Sequence, residues 1–265
     1  MKKRILIIVI CIVVLITAWT AFCGYQWSWG PFAKLHDVKT ASLPGNAAAY
    51  SPETVEQVQG SVLEGKTILF LGSSVTYGAS SKGVSFADYL EAKYGCVSIK
   101  EAVSGTTLVE SGTNSYISRL KRLDISALDL LVCQLSTNDA TQNKTLGTVS
   151  ASTDIDDFDT STVAGAMEYI IAYAEENWGC PVYFYTNSQY DSEQYAAMVE
   201  LLTQIQEKWG IGVIDLWNDE DFNDITSEQR SLYMADSIHP TQAGYLEWWL
   251  PKFEEALTAC FEREG

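Results

Sequence analysis

The sequence predicts an α/β protein: a five-stranded parallel sheet covered by helices on both faces, preceded by one membrane-spanning helix. Three observations carry this. Five short apolar runs, at 67–71, 97–103, 128–135, 181–186 and 211–216, are each bounded by polar or glycine-containing turns. Segments with apolar residues at helical spacing separate them, and strands alternating with helices imply parallel pairing through right-handed crossovers. Ahead of them residues 5–22 are apolar except for Thr17 and Thr20, and no charge returns until Lys34.

A helix needs about 20 apolar residues to cross a bilayer, and the N-terminal run reaches that length. Lys2, Lys3 and Arg4 precede it, so the positive-inside rule keeps the N-terminus cytoplasmic and the rest of the chain outside. Tyr25, Trp27 and Trp29 follow, as an aromatic belt at the outer interface does. A cleaved signal peptide needs a small-x-small site; Thr20-Ala21-Phe22-Cys23 instead puts Phe before the Cys. The expected organisation is a retained anchor over 1–24, a stalk over 25–60 and a globular domain over 61–265. That domain lies outside the cytoplasm on the cell membrane.

The chain has 265 residues, 47% hydrophobic and 19% charged, which suits one α/β domain with an appendage and excludes a disordered chain. Seventeen basic residues face 34 acidic ones, a net charge of −17. Nucleic-acid binding needs a basic face and is excluded as a function on that count. Setting aside the three basic residues before the anchor leaves 14 against 34, net −20, a charge that keeps the domain soluble. Six cysteines are too sparse for a disulfide scaffold. Cys96, Cys133, Cys180 and Cys260 allow three pairings outside the cytoplasm, and no essential disulfide is expected.

The elements follow in order. In the stalk, Ser51-Pro52 reads as an N-cap with proline at the first position of a short helix. Thr67-Ile68-Leu69-Phe70-Leu71, ending at Gly72, has the continuous apolar character of a buried parallel strand. Phe86, Tyr89 and Leu90 recur at helical spacing up to Gly95, the second strand follows, and 114–123 is weakly helical. The third strand contains Cys133, which reads as a small core residue. Residues 141–161, rich in Ser, Thr and Asp, exceed the usual loop length, as a lid or a mobile loop does. Its Asp154, Asp156, Asp157 and Asp159 lack the glycine and distal glutamate of an EF-hand loop, so a solvated loop is expected rather than a calcium site. A helix over 162–177 leads to the fourth strand. Tyr195, Met198, Val199, Leu202 and Ile205 then mark one buried helix face before the fifth. The closing helix, 241–261, carries Tyr245, Trp248, Trp249 and Phe253 on its apolar stripe. Packing is the expected role of these tryptophans and of Trp217.

Ligands of parallel sheets bind beyond the C-terminal strand ends. Four polar blocks fall there: Gly72-Ser73-Ser74, Ser104-Gly105-Thr106, Ser136-Thr137-Asn138-Asp139 and Asp236-Ser237-Ile238-His239-Pro240. The first block lacks the spacing of a phosphate loop, of the dinucleotide fingerprint and of the Gly-x-Ser-x-Gly elbow. Of two histidines, His36 lies in the stalk and His239 in the domain. A neutral imidazole takes the proton of a serine hydroxyl when a carboxylate fixes its tautomer. Asp236 and His239 are spaced for that pairing, with Ser74 as nucleophile. Backbone N–H groups of Ser74 and Gly105, with the Asn138 amide, would serve an oxyanion. No metal and no cofactor is expected.

These four blocks, in this order, resemble the SGNH (GDSL-type) hydrolase superfamily, over roughly residues 66–258. The resemblance implies a flavodoxin-like three-layer α/β/α sandwich and metal-free ester hydrolysis. The family's nucleophile is the third residue of Gly-Asp-Ser, here Ser74; its oxyanion Gly and Asn correspond to Gly105 and Asn138; its Asp-x-x-His-Pro block corresponds to 236–240. Ser73 replaces the usual Asp and Ser136 the usual Gly of the third block. The expected function is hydrolysis of O-acyl groups on carbohydrate. The alternatives are lipid ester hydrolysis, acyl transfer to a sugar, and glycan binding with little turnover. The expected partners are an ester substrate and, through the N-terminal helix, the membrane.

Overall fold

The computed structural model describes residues 2–27, 30–32 and 34–264. Helix α1 (Lys2–Trp27) is long and apolar enough to cross a membrane over Lys2–Gln26, and its most apolar stretch is buried by nothing in the chain. Trp29 and the side chain of Trp27, both expected in the aromatic belt, lie outside the described residues.

Five strands form one sheet: β1 (Thr67–Gly72), β2 (Val97–Ala102), β3 (Leu130–Gln134), β4 (Val182–Tyr185) and β5 (Gly212–Ile214). All pairs are parallel, in the order β2-β1-β3-β4-β5. The chain winds one way from β1 to β2 and the other way from β3 onwards. The topological switch therefore falls between β1 and β3, where such sheets form their crevice.

Side chains alternate across a strand, and both faces here are apolar. Ile68, Phe70, Leu130, Val132 and Tyr185 pack on α4 (Phe86–Tyr94) and α11 (Leu250–Glu264). Leu69, Leu71, Leu131, Cys133 and Phe184 pack on α5 (Tyr116–Leu120), α7 (Val163–Trp178) and α8 (Glu193–Trp209). The result is the three-layer sandwich expected, with Cys133 fully buried in it. Four further short helices, α3 (Ser74–Tyr77), α6 (Thr137–Thr141), α9 (Glu220–Asn223) and α10 (Ser227–Tyr233), sit in the connections.

Three regions differ from expectation. The closing helix begins with a π-helical stretch, Gly244–Trp249, before α11. Tyr245 OH donates to Val75 O (2.6 Å) and Trp248 Nε1 to Phe222 O (2.7 Å), so side-chain anchoring accompanies the altered register. Trp248 stacks on Phe222 and Trp249 is fully buried, so both are packing residues. The 142–161 loop is tied down. Lys208 Nζ donates to the carbonyls of Ser150 and Ser152 and to the buried Glu168, which also accepts from Ser150 N–H. Phe158 is buried against Trp209.

The segment after α1 holds α2 (Lys34–Ala41) and single 3₁₀ turns at Pro44–Asn46, Ala48–Tyr50 and Pro52–Thr54. Ser51 caps the last of these, as expected, although it runs for only one turn. The segment lies against the domain: Tyr89 OH donates to Tyr50 O (2.5 Å) and Val58 N–H to Lys93 O (2.7 Å).

Candidate active site

The first block leaves β1 and enters α3 at once. Ser73 is the N-cap residue and Ser74 the first residue of the helix. Ser73 Oγ is fully buried and donates to Gln134 Oε1 (3.2 Å). Ser74 Oγ lies 2.8 Å from His239 Nε2. Of the two adjacent serines, Ser74 alone addresses the imidazole.

The fourth block is a tight loop. An antiparallel bridge joins Met234 to Pro240, and Ala235 N–H donates to His239 O (2.9 Å). Inside it Asp236 Oδ1 accepts from the backbone N–H groups of Ile238 and His239, each at 2.8 Å. Both Asp236 oxygens approach His239 Nδ1, at 3.0 and 2.9 Å. Burial works to raise the Asp236 carboxyl. The His239 hydrogen bond and charge, with the two backbone donors, outweigh it and hold the group down at about 2. Asp236 is therefore an anion at neutral pH. With the Nδ1 proton directed at that carboxylate, Nε2 is left to accept from the Ser74 hydroxyl.

The other two blocks close on each other. Asn138, in α6, uses one amide hydrogen on Thr106 O (3.0 Å), which ties it to the Gly105 loop and leaves its second hydrogen available. Gly105 has φ +81°, and nothing lies within 4 Å of where a Cβ would stand. Its left-handed backbone conformation favours the glycine. Ser74 opens a helix, and helix starts leave backbone N–H groups without intrahelical acceptors. The arrangement brings a hydroxyl, its proton acceptor and candidate anion donors to one edge of the sheet.

Three supporting residues were not singled out from the sequence. Gln134, at the end of β3, accepts from Ser73 N–H (2.8 Å), Thr76 Oγ1 (2.9 Å) and, more weakly, Thr76 N–H (3.4 Å). Arg119 is buried and donates to Gly72 O (2.7 Å), Glu101 O (2.6 Å), Asn114 O (3.0 Å) and Thr106 Oγ1 (3.3 Å), joining the ends of β1 and β2 to the Gly105 loop. Asp139 accepts from Leu108 and Val109 N–H groups at 2.8 and 3.1 Å, which fixes the chain after Gly105; its burial raises its pKa. Asp139 stands in the quoted third block, but Gln134 and Arg119 lie in a strand and a weak helix with no motif to mark them.

A groove of about 1040 Å³ runs beside β5, lined by residues such as Tyr183, Val213 and Ala256, and contains none of these groups. Among the described residues no cluster of three or more His, Cys, Asp or Glu is placed to hold a metal.

The doubly wound α/β sandwich and the hydrogen-bonded Ser–His–Asp row at the C-terminal edge of its sheet agree with the resemblance to SGNH hydrolases. The model of the GDSL-like Lipase/Acylhydrolase family matches residues 70–246, and the chain belongs to that family. Comparison with curated proteins finds no match. Solved structures share the fold at low identity. A protein from Lactobacillus plantarum is 21% identical with a TM-score of 0.61, over 74% of this chain and 98% of that one. A possible lipase from Chitinophaga pinensis is 15% identical with a TM-score of 0.54, over 75% and 98%. The acetyl xylan esterase AlAXEase is 14% identical with a TM-score of 0.52, over 72% and 99%.

Proposed function

We propose that the protein is a membrane-anchored serine esterase whose domain works outside the cytoplasm, removing short O-acyl groups from carbohydrate. The observation that carries this is the row from Ser74 Oγ to His239 Nε2 (2.8 Å) and from His239 Nδ1 to Asp236 (2.9 Å). Ser74 Oγ attacks the ester carbonyl and gives its proton to His239 Nε2. Asp236 stabilises the imidazolium without itself taking the proton. Ser74 N–H, Gly105 N–H and the free hydrogen of the Asn138 amide receive the oxyanion. His239 returns the proton to the leaving alcohol, and water, deprotonated by the same nitrogen, then releases the acid from Ser74. No step calls on a metal or cofactor. An acetyl xylan esterase among the proteins of this fold makes O-acetyl sugars the first natural substrates to try.

The test is hydrolysis of p-nitrophenyl acetate, butyrate and octanoate by the full chain in detergent, alongside Ser74→Ala and His239→Ala. Activity that is highest on acetate and lost in both variants is the expected result. A preference for octanoate would redirect the reading to lipid esters. A wild type no faster than Ser74→Ala, and unlabelled by a fluorophosphonate, would end the esterase reading in favour of glycan binding.

A further inference from the structure

Asn46 belongs to the segment that leads away from the membrane helix, yet it is only 1% exposed. Three stretches of chain meet on its side-chain amide. Nδ2 donates to Thr40 O and to Ser80 O, each at 2.7 Å, and Oδ1 accepts from the backbone N–H of Gln242 at 2.8 Å. Its own carbonyl accepts from Lys82 Nζ (2.5 Å). The seat is tight: a Cβ on Gly45 would lie 2.0 Å from Leu232 O and 2.3 Å from Thr241 Oγ1, so only glycine lets the turn enter.

The partners are what give this amide its importance. Ser80 directly follows the turn that Ser74 opens and that Ala79 N–H closes on Ser74 O (2.9 Å). Gln242 lies three residues past His239. One amide therefore crosslinks the Ser74 turn to the chain leaving the His239 loop. On its other side Thr40 lies in the last turn of α2, whose Lys39 Nζ donates to Gln26 Oε1 (2.7 Å) and stands over the Tyr25 ring (5.6 Å). The crosslink is thus continuous with the C-terminal end of α1.

We infer that the segment leaving the membrane helix is a working part of the active site, with Asn46 as a positioning residue that sets the Ser74 turn and the His239 loop at hydrogen-bonding separation. The inference rests on the esterase reading above. Proton transfer from Ser74 to His239 depends on that separation, and a displacement of about 1 Å costs on the order of 100-fold in rate. An amide that only stabilised the fold would change melting and leave turnover alone.

The test uses the full chain in detergent. Asn46→Ala removes all three side-chain bonds. Asn46→Asp keeps the shape and the acceptor for Gln242 but turns an oxygen on the carbonyls of Thr40 and Ser80, and it carries the test if the alanine variant does not fold. Rates are taken well below each variant's own Tm and divided by the folded fraction from circular dichroism. The expected result is a kcat for p-nitrophenyl acetate lowered about 10- to 100-fold, a KM within about twofold, and fluorophosphonate labelling of Ser74 slowed by the same factor as kcat. Variants with lowered Tm but kcat and labelling within twofold of wild type would overturn the inference and leave the esterase reading standing. A wild type no faster than Ser74→Ala would instead remove the esterase reading itself.

Discussion

Replacing Gln134 with leucine tests whether the turn that presents Ser74 is held by one side-chain oxygen. Gln134 is almost fully buried, and its Oε1 is the acceptor for Ser73 N–H (2.8 Å) and, at 3.4 Å, for Thr76 N–H. Leucine fills much of the same space and accepts nothing. The Ser73 N–H then loses its acceptor, at a cost of about 1–3 kcal/mol, and the longer Thr76 bond adds about 1 kcal/mol. The Thr76 hydroxyl keeps Tyr185 OH at 2.6 Å, so it adds little, and the Ser73 hydroxyl loses its 3.2 Å bond to Gln134 Oε1, about 0.5 kcal/mol. Against this, Gln134 Nε2 is buried without a partner, and its removal returns about 1 kcal/mol. The net loss is about 2 kcal/mol, which for a domain of roughly 200 residues lowers Tm by about 4–8 °C. Because the lost bonds flank Ser74, kcat on p-nitrophenyl acetate should fall at least about tenfold at temperatures where the variant is folded. Thermal melting and steady-state kinetics on the same preparation check both. A Gln134→Leu variant that melts within 2 °C of wild type and turns over within twofold would refute the reasoning, since the turn would then be held by something else.

Asp236 makes a prediction about acid. Its carboxyl is lowered to about 2 in the folded chain, so its stabilising contribution is full above about pH 4, the unfolded value, and is lost as pH falls through about 2. The side chain is 46% exposed, so solvent screening reduces that contribution to about 1 kcal/mol. The stability gap between wild type and Asp236→Asn should narrow as pH falls from 4 towards 2; a gap at pH 3 unchanged from that at pH 4 would contradict the assignment. Arg119→Met takes the guanidinium from Gly72 O, which keeps Val103 N–H (3.3 Å), and from Glu101 O, and should cost about 2 kcal/mol in denaturant unfolding, with a cost under 1 kcal/mol counting against its bracing role. Lys208→Met leaves the fully buried Glu168 carboxylate without its cation. It should destabilise by about 3 kcal/mol and speed amide exchange across 142–161, whereas Lys208→Met with Glu168→Met should be less damaging; a double variant as unstable as the single would show that the loop is held otherwise.

The parts of this molecule legible in its sequence are those governed by local rules. The five strands declared themselves by apolar runs; four proved shorter than their runs, because regular pairing stops before apolar character does, as at Leu216, and β1 extends one residue past its run to Gly72. The four polar blocks were legible because a parallel sheet delivers every strand end to one edge, so chain order alone predicts their convergence. The short helices α3 and α6 went unseen because four or five residues hold no periodicity. The fixing of 142–161 was equally hidden. It depends on Lys208, far from the loop in sequence, and on Glu168 in the helix that follows, while length and composition read the segment as a lid or a mobile loop. The segment after α1 looked like a stalk for the same reason: one buried asparagine in a Pro-Gly-Asn turn carries no local sign that its partners are Ser80 and Gln242.

The two departures from the family pattern join these threads. An aspartate before Ser74 would bring a carboxylate to the position of Ser73, which is fully buried beside Gln134. The serine that stands there needs no charge compensation, since its hydroxyl donates to the Gln134 oxygen that already accepts its N–H. Ser136, in place of glycine, caps α6 by accepting from Asp139 N–H (3.3 Å). Asp139 in turn holds Leu108 and Val109, and so the loop carrying Gly105. A side chain at 136 thus replaces backbone freedom with a cap. Both substitutions move support for the site from conformational permission and charge to specific hydrogen bonds. The cost of that design falls on the residues that receive those bonds. Ser73→Ala should accordingly be mild, because it deletes only a donor, while the loss of the shared acceptor at Gln134 is felt at every bond it collects.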